Sequence, residues 1–391
     1  MDRLTPEERV LDMFTERTYD ITMDDTSHGL GPLGSPPPHK GRGAVSNATG
    51  RYEPEKREGF DDGWGIADEP PPKLDTVYAR DSTRTIITRN DSPDIPFDRS
   101  INPYRGCEHG CIYCFARPTH AYLGLSPGLD FESRIFAKPD APALLAAELS
   151  KPSYRCRPIA LGTNTDPYQP AERKFGIMRG ILETLYRFKH PVTIVTKSAL
   201  IERDIDLLAA MAREQLAAVA LSVTTLDRKL ARAMEPRAAT PERRLEAMAA
   251  LAKAGVPTSV MAAPMIPALN DSELEAILEC AAAAGARGAG YTMLRLPLEV
   301  APLFIEWLHA HAPNKAKHVM SLVRESHGGK DYDAQWGKRM VGSGPYAEML
   351  RIRFETACKR LQLNLSRGRI WRLDTTKFLA PPKPTAQLSL F

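Results

Sequence analysis

Short apolar segments alternate with amphipathic helical segments from residue 98 to residue 312, and this alternation limits the possible folds more than any other feature of the chain. Strands are predicted at 158–162, 192–196, 216–223, 258–262 and 290–294, and helices at 175–188, 201–213, 241–254, 272–284 and 302–311. Helical segments between successive strands indicate parallel βαβ units, because a parallel neighbour needs a long crossover connection. About six units fit if the segment before residue 158 supplies the first. The pattern therefore predicts a barrel or an open parallel sheet.

Three cysteines lie within eight residues, in the spacing Cys107-x3-Cys111-x2-Cys114. Their thiols can converge on one centre if the backbone loops around it, and Gly106 and Gly110 relieve the strain of such a loop. Three thiolates can neither close a structural zinc site nor bind all four irons of a [4Fe-4S] cluster. The spacing therefore indicates a metal centre with one position left open to chemistry.

A zinc knuckle is the alternative interpretation, in which His109 or His120 supplies the fourth ligand. Zinc fingers usually bring their ligands as two separated pairs, and no second pair follows this triplet. The other cysteines, Cys156, Cys280 and Cys358, are scattered singly. Six cysteines in a chain of 391 residues do not make a disulfide scaffold, so the triplet suggests a reducing compartment.

The triplet and its flanks resemble the radical S-adenosyl-L-methionine (SAM) superfamily, whose signature is C-x3-C-x-aromatic-C. The flanks, Asn-Pro-Tyr-Arg-Gly before the first cysteine and Tyr-Cys-Phe at the last, are similar to the spore photoproduct lyase-like branch of DNA-photolyase-like proteins. The resemblance implies a partial (β/α)6 TIM-like barrel in which Cys107, Cys111 and Cys114 hold a [4Fe-4S] cluster and SAM chelates the fourth iron. An electron donor would reduce the cluster, which would cleave SAM to methionine and a 5'-deoxyadenosyl radical that abstracts a hydrogen atom from the substrate. Tyr113 would lie against the adenine.

Polar residues follow the predicted strands, where ligands bind in parallel α/β folds. Thr163 and Asn164 stand where the superfamily usually has a Gly-Gly-Glu-like motif for the SAM amino group, and this chain departs from that motif. By resemblance, Ser198 and Ser222 fall where side chains meet the SAM ribose or carboxylate. Arg237 is a candidate carboxylate anchor, because guanidinium pairs well with carboxylate. Loop capping and turn formation are the alternative roles for each of these residues.

Spore photoproduct lyases use a cysteine as a hydrogen-atom donor, and Cys156 is the residue of this chain to weigh for that role. The family position resembles one near Gly162, at the end of the predicted strand, whereas Cys156 precedes that strand. We therefore expect Cys156 to be an ordinary cysteine, and the photolesion chemistry of the family does not transfer directly.

Composition changes along the chain, together with the resemblance to the radical SAM superfamily, predict four regions. They are a largely disordered leader (1–75), a radical SAM core (76–312), a C-terminal helical extension (313–378) and a flexible tail (379–391). Within the leader, 40–43 is compact enough to touch phosphate or substrate, although a solvated linker is the simpler expectation.

The last five residues resemble the QLxLF pentapeptide with which bacterial polymerases and mismatch-repair proteins bind the replicative sliding clamp. Here Gln387, Leu388, Leu390 and Phe391 would enter a hydrophobic groove of the clamp, at the end of a Pro-rich spacer. The alternative is a tail that folds back and packs its apolar residues on the core.

Charge and hydropathy leave several functions open. Lys and Arg number 52 against 48 Asp and Glu, so a net charge of +4 argues neither for nor against nucleic acid. No run of about 18 apolar residues occurs, so we expect a cytoplasmic protein without a membrane partner. The tail favours DNA, so a lyase-like enzyme of DNA repair or modification is the first expectation. The alternatives are a radical SAM enzyme acting on RNA, peptide or a small metabolite, and a non-catalytic Fe-S or zinc-binding adaptor recruited to DNA.

Overall fold

The architecture comes from a computed structural model that describes residues 38–57, 73–365 and 373–379. Its strands are β1 (Val77–Arg80), β2 (Ile87–Arg89), β3 (Arg99–Ile101), β4 (Tyr104–Arg105), β5 (Arg134–Ala137), β6 (Ile159–Leu161), β7 (Val192–Thr196), β8 (Ala217–Ser222), β9 (Thr258–Met265) and β10 (Gly288–Met293). The main sheet has the order β10-β9-β8-β7-β6-β3-β2, and β1, β5 and β4 form a smaller sheet.

Six neighbouring strands of the main sheet, β3 and β6 to β10, are parallel. The edge strand β2 runs antiparallel to β3. Six parallel strands are the number that the sequence pattern predicts, and the mixed α/β architecture with a mostly parallel sheet is confirmed. All six carboxyl ends therefore meet at one edge of the sheet, which we call the carboxyl edge.

Helices lie in the crossovers between the parallel strands, and three more follow β10. They are α1 (Leu129–Ser133), α2 (Ala141–Leu149), α3 (Glu172–Phe175), α4 (Ile177–Arg187), α5 (Ile205–Arg213), α6 (Arg228–Met234), α7 (Pro241–Lys253), α8 (Leu274–Ala283), α9 (Val300–His311), α10 (Pro313–Ser326) and α11 (Gly344–Arg360). In α4 the buried residues Met178, Ile181 and Leu185 recur at helical spacing and face the core. Across the described ranges, no helix is long and apolar enough to span a membrane.

The burial of the central strands follows from their composition. β8 is buried along its whole length, and its short apolar side chains allow helices and neighbouring strands to approach closely. β7 instead alternates buried and half-buried residues, and Val192, Ile194 and Thr196 are the buried set. One face of β7 is thus less tightly covered than the other, and this strand leads directly into the candidate site.

Part of the predicted leader is packed on the core. Residues 42–45 are buried, and the Arg42 guanidinium donates to the backbone oxygens of Glu132 (2.7 Å) and Leu74 (2.6 Å). Residues 38–57 therefore differ from the disordered leader predicted over 1–75. A segment so poor in apolar residues is held by buried hydrogen bonds, which hydrophobic periodicity does not reveal.

The extension after β10 packs on the edge of the main sheet. The rings of Tyr291 in β10 and Phe354 in α11 have centroids 4.8 Å apart. Asn364 pairs with the backbone of Ala289, donating to its oxygen and accepting from its N–H, both at 2.9 Å. The clamp-like residues Gln387, Leu388, Leu390 and Phe391 lie outside the described residues.

Candidate active site

The cysteine triplet lies on the loop between β4 and α1, which we call the cluster loop (106–116). Two tight turns shape it, since Gly110 N–H donates to Cys107 O and Cys114 N–H to Cys111 O, both at 3.2 Å. Gly106 and Gly110 have φ of 75° and 66°, a region that favours glycine. Ile112 N–H donates to Met234 O at the end of α6 (3.0 Å), which ties the loop to the carboxyl edge.

The three thiols lie in surroundings that suit an iron–sulfur cluster. Cys107 is 7% exposed, Cys111 is 8% exposed, and Cys114 is half-buried against Ala116 and Phe131. Burial raises the pKa of Cys107 well above its ordinary value and that of Cys111 to about 12. Three sulfur donors on one largely buried loop match the ligand set of Fe–S clusters, and their thiolates would form on metal binding.

Neither histidine near the triplet is arranged as a zinc ligand. His109 Nδ1 lies 3.3 Å from the carboxylate of Asp166, and His120 packs edge-on against Phe131 and Phe136. Within the described ranges, no three His, Cys, Asp or Glu side chains gather closely enough to hold a single metal ion. A cluster places each cysteine on a different iron and does not need that convergence.

Glu108 and Gln169 fix the first turn of the cluster loop. The Gln169 side chain accepts from Glu108 N–H (2.9 Å) and donates to Gly106 O (3.1 Å). The buried Glu108 carboxylate accepts from the hydroxyls of Thr76 and Tyr78, both at 3.0 Å. The loop is therefore held from β1 and from the β6 side at once.

A second hub joins the cluster loop to the ordered part of the leader. The Arg117 guanidinium donates to Cys111 O (2.9 Å) and Gly110 O (3.1 Å), and it pairs with the fully buried Glu132. The Glu132 carboxylate also accepts from Gly43 N–H and Ala44 N–H, both at 2.8 Å. Residues 43–44 thus help to hold the cluster loop through the Glu132 carboxylate.

Tyr113 points into a buried polar group beneath the cluster loop. Its hydroxyl donates to Glu235 and lies 3.1 Å from the Thr224 hydroxyl, which in turn donates to Glu235 (2.6 Å). Arg244 pairs with Glu235 from the other side. Burial alone would raise the pKa of Glu235, but the charges of Arg244 and Lys197 outweigh it and lower this pKa to about 2.

Asp166 and Lys197 place one negative and one positive charge at neighbouring strand ends. Asp166 accepts from the Thr196 hydroxyl and from Lys197 N–H, both at 2.7 Å. Burial opposes ionisation of Asp166, yet His109 and these hydrogen bonds lower its pKa to about 2. The Lys197 ammonium lies 5.8 Å from the Tyr113 ring centroid and makes no hydrogen bond or ion pair to any described residue.

The residues predicted to contact SAM all lie at or near the carboxyl edge, and the structure gives each a partner within the protein. Asn102 donates to the Thr163 hydroxyl (3.4 Å) and accepts from Asn164 N–H (3.0 Å). The Ser198 hydroxyl caps a short 3-10 helix by accepting from Leu200 N–H (3.2 Å).

The other two predicted contacts are also engaged. The Ser222 hydroxyl donates to Ala263 O (3.2 Å), and Arg237 pairs with Glu108 at 3.0 Å. Cys156, by contrast, precedes β6 and so lies at the amino end of the strands, away from the cluster loop.

Lys197, Thr224 and Arg244 belong to the site but were not predicted from the sequence. Lys197 directly precedes the candidate Ser198, and its position one residue after β7 was the available signal. Arg244 lies inside α7, where an arginine ordinarily faces solvent, and nothing local distinguishes it from its neighbour Arg243.

Comparisons with known proteins agree with this geometry. The model of the radical SAM superfamily matches residues 101–281, a range that contains the cluster loop and most of the parallel strands. An uncharacterized protein of Mycobacterium tuberculosis (strain H37Rv) is 41% identical over 232 residues, covering 59% of this chain and 68% of that protein. An uncharacterized protein of Methanocaldococcus jannaschii is 28% identical over 173 residues, covering 44% of this chain and 62% of that protein.

Among solved structures, spore photoproduct lyase complexed with dinucleoside spore photoproduct is similar in fold. Its TM-score is 0.53 at 15% identity, over 73% of this chain and 79% of that one. A double mutant of that lyase, with bound AdoMet and dinucleoside spore photoproduct, gives a TM-score of 0.52 at 14% identity over the same shares. Identity this low relates the folds and not the substrates. The chain belongs to the radical SAM superfamily, and it is therefore a radical SAM enzyme whose cofactors are a [4Fe-4S] cluster and SAM.

Proposed function

We propose that Cys107, Cys111 and Cys114 bind three irons of the cluster and leave the fourth iron to SAM. When bound, the reduced cluster and SAM supply a 5'-deoxyadenosyl radical that abstracts a hydrogen atom from the substrate. The observation that carries this proposal is the placement of three thiols, two buried and one half-buried, on one loop beyond the carboxyl ends of the parallel strands.

The residues around the loop have separate proposed tasks. Lys197, whose ammonium has no described partner, would bind the SAM carboxylate, and Tyr113 would lie against the adenine. Thr163 and Asn164 would approach the SAM amino group. Because Ser198, Ser222 and Arg237 already have partners within the protein, we propose that they shape the pocket rather than reach SAM through a free donor.

The proposed substrate context is DNA, in repair or modification. The clamp-like pentapeptide at Gln387, Leu388, Leu390 and Phe391 supports it, and the dinucleoside ligand of the spore photoproduct lyase that is similar in fold agrees with it. We propose that the pentapeptide recruits the enzyme to the sliding clamp and takes no part in the chemistry. Deleting 387–391 should then abolish binding to the clamp and leave SAM cleavage unchanged.

Anaerobic reconstitution followed by EPR of the reduced protein tests the proposed chemistry. We expect a [4Fe-4S]+ signal that changes when SAM is added, together with 5'-deoxyadenosine among the products. Cys111→Ala should lose the signal, whereas the matched variant Cys280→Ala, in α8, should keep it. A protein that holds zinc and gives no signal would contradict the proposal.

Lys197→Met should weaken SAM binding about 10- to 100-fold, because a hydrogen bond to a charged group contributes about 1.5–3 kcal/mol. The measurement is a SAM titration of the EPR signal, with iron content as the check that the cluster is retained. Lys189→Met is the matched control, since Lys189 pairs with Glu214 near the amino ends of the strands. Equal SAM affinity in Lys197→Met and wild type would remove Lys197 from the SAM site.

A further inference from the structure

Beside the cluster loop, the carboxyl edge carries an arginine whose charge no described carboxylate balances. The Arg295 guanidinium lies 4.7 Å from the Phe115 ring centroid and directs donors to Met340 Sδ (3.2 Å) and the Tyr332 hydroxyl (3.5 Å). Its Nε is buried and has no hydrogen-bond partner. A cation oriented by two rings and a thioether is available to an anionic ligand.

This arginine lies on the same edge of the sheet as the cysteines. Arg295 comes two residues after Met293, the last residue of β10, and Phe115 directly follows Cys114. Phe115 belongs to the cluster loop and is 44% exposed, although most of that loop is buried. The Phe115–Arg295 pair therefore brings the cluster loop into contact with solvent next to Cys114.

The connection between α10 and α11 extends this surface. At β10, one outer strand of the main sheet, Met293 N–H donates to Met340 O (2.8 Å). At the opposite outer strand, Arg339 pairs with Asp94 (2.6 Å), which lies in the loop between β2 and β3. Trp336 is 49% exposed, and the Arg339 guanidinium lies 5.4 Å from its ring centroid. The loop thus holds an exposed indole in a fixed place.

A third pairing of rings with an arginine, from the leader, reaches the connection between β10 and α9 that carries Arg295. The exposed rings of Tyr52 and Tyr122 have centroids 5.3 Å apart, and Arg51 lies 5.4 and 5.9 Å from them. Arg51 is tied to Glu299 (2.5 Å), four residues after Arg295. Exposed aromatic rings with adjoining arginines therefore recur along the 295–299 connection.

We propose that this surface, the aromatic rim (Phe115, Arg295, Tyr332 and Trp336), binds a single-stranded polynucleotide, an inference that rests on the proposed DNA context and specifies its form. The exposed rings of Phe115 and Trp336 offer stacking faces to unpaired bases, and Arg295, which Tyr332 helps to orient, offers a contact for phosphate. Bases inside a duplex cannot stack on these rings without leaving the helix. Because the net charge is only +4, the attraction has to be local, as it is here.

Equilibrium binding to the cluster-loaded protein, without SAM, tests the rim. The probes are a fluorescent oligothymidylate of about 12 nucleotides, a duplex of the same length, and an acidic peptide of equal charge. We expect the single strand to bind more tightly than the other two, with affinity that falls as salt rises. Arg295→Gln and Phe115→Ala should each weaken it at least about fivefold.

Two further variants keep the test decisive. Trp336→Ala changes a residue outside the cluster loop, so a loss of binding at full iron content cannot come from a lost cluster. Arg187→Gln is the matched control, because Arg187 also lies over a ring, that of Phe188 (5.4 Å), but near the amino ends of the strands. Iron content is measured for every variant.

The outcomes separate the rim from the radical chemistry. Selective loss of single-strand binding in the rim variants supports the rim, even if SAM leaves the EPR signal unchanged and the proposed chemistry fails. Equal affinity in wild type and all three rim variants would overturn it, whatever the EPR result. Tighter binding of the duplex or of the acidic peptide would likewise overturn it.

Discussion

Replacing Glu235 by glutamine should lower the free energy of unfolding by about 3–5 kcal/mol, the usual loss when one partner of a buried ion pair is removed. Glu235 and Arg244 are both almost fully buried. Glutamine keeps the shape of the side chain and can still accept from the Tyr113 and Thr224 hydroxyls. The Arg244 guanidinium would keep its bonds to Ser222 O and Ala239 O but would lose the charge that balances it.

The same pair predicts how stability depends on pH. The pKa of Glu235 is about 2 in the folded protein against an ordinary value of 4.5. A carboxyl whose pKa is lowered by folding stabilises the folded state above its ordinary pKa, and this contribution is lost as pH falls towards the folded pKa. Wild type should therefore lose stability between about pH 4.5 and 2 more steeply than Glu235→Gln.

Urea midpoints of the metal-free proteins provide the measurement. The exposed pair Arg351–Glu355 (2.5 Å) supplies the matched control, and Glu355→Gln should change stability by no more than about 0.5 kcal/mol. The double variant Glu235→Gln/Arg244→Met should recover much of the loss, because no unbalanced charge stays buried. A single variant as stable as wild type would show that solvent reaches Arg244 freely.

The elements of this fold could be predicted because each depends on nearby residues. The strand 192–196 was predicted with the observed bounds, and the helix 241–254 matches α7 within one residue. In each element the spacing of apolar residues indicates which face is buried, and burial of that face stabilises the element. The location of the site could be predicted as well, since a parallel sheet brings together the carboxyl ends of its strands and the polar residues that follow them.

The partners within the site could not be predicted, because they join distant parts of the chain. Tyr113 and Glu235 are 122 residues apart, and Gly43 and Glu132 are 89 apart. Ser198 shows the other limit: a serine after a strand is equally suited to hold a ligand or to cap a helix, and here its hydroxyl forms a cap. Spacing reveals the cysteine triplet, whereas the residues that hold its loop are revealed by contacts alone.

Gly43→Ala should loosen the cluster loop, although residue 43 lies 64 positions before Cys107. A Cβ at residue 43 would lie 1.8 Å from Gly110 O and 3.0 Å from Gly110 C, so the leader or the loop must move. Moving the leader removes the two backbone donors from the buried Glu132 carboxylate, and Arg117 holds the loop through that carboxylate. Together, the steric overlap and the lost donors should cost about 2–4 kcal/mol.

The measurements are iron bound per chain after reconstitution and the rate of proteolysis within residues 38–57. We expect Gly43→Ala to retain less than about half of the wild-type iron and to be cleaved faster in this segment. Gly41→Ala is the matched control, because a Cβ there meets no atom within 4 Å and the φ of +75° adds only backbone strain.

Glu132→Gln examines the same connection from its other end. With its oxygen in the Oε1 position, a glutamine amide can still accept from Arg117 and from Ala44 N–H, but its NH2 group then faces the Gly43 N–H donor. If the leader acts on the cysteines through Glu132, this variant should lose iron as Gly43→Ala does, and the double variant should be no worse than either single variant. Additive losses would instead mean that residues 43–44 and Arg117 hold the cluster loop independently. Full iron content in both variants would show that the leader does not help to hold the cluster loop.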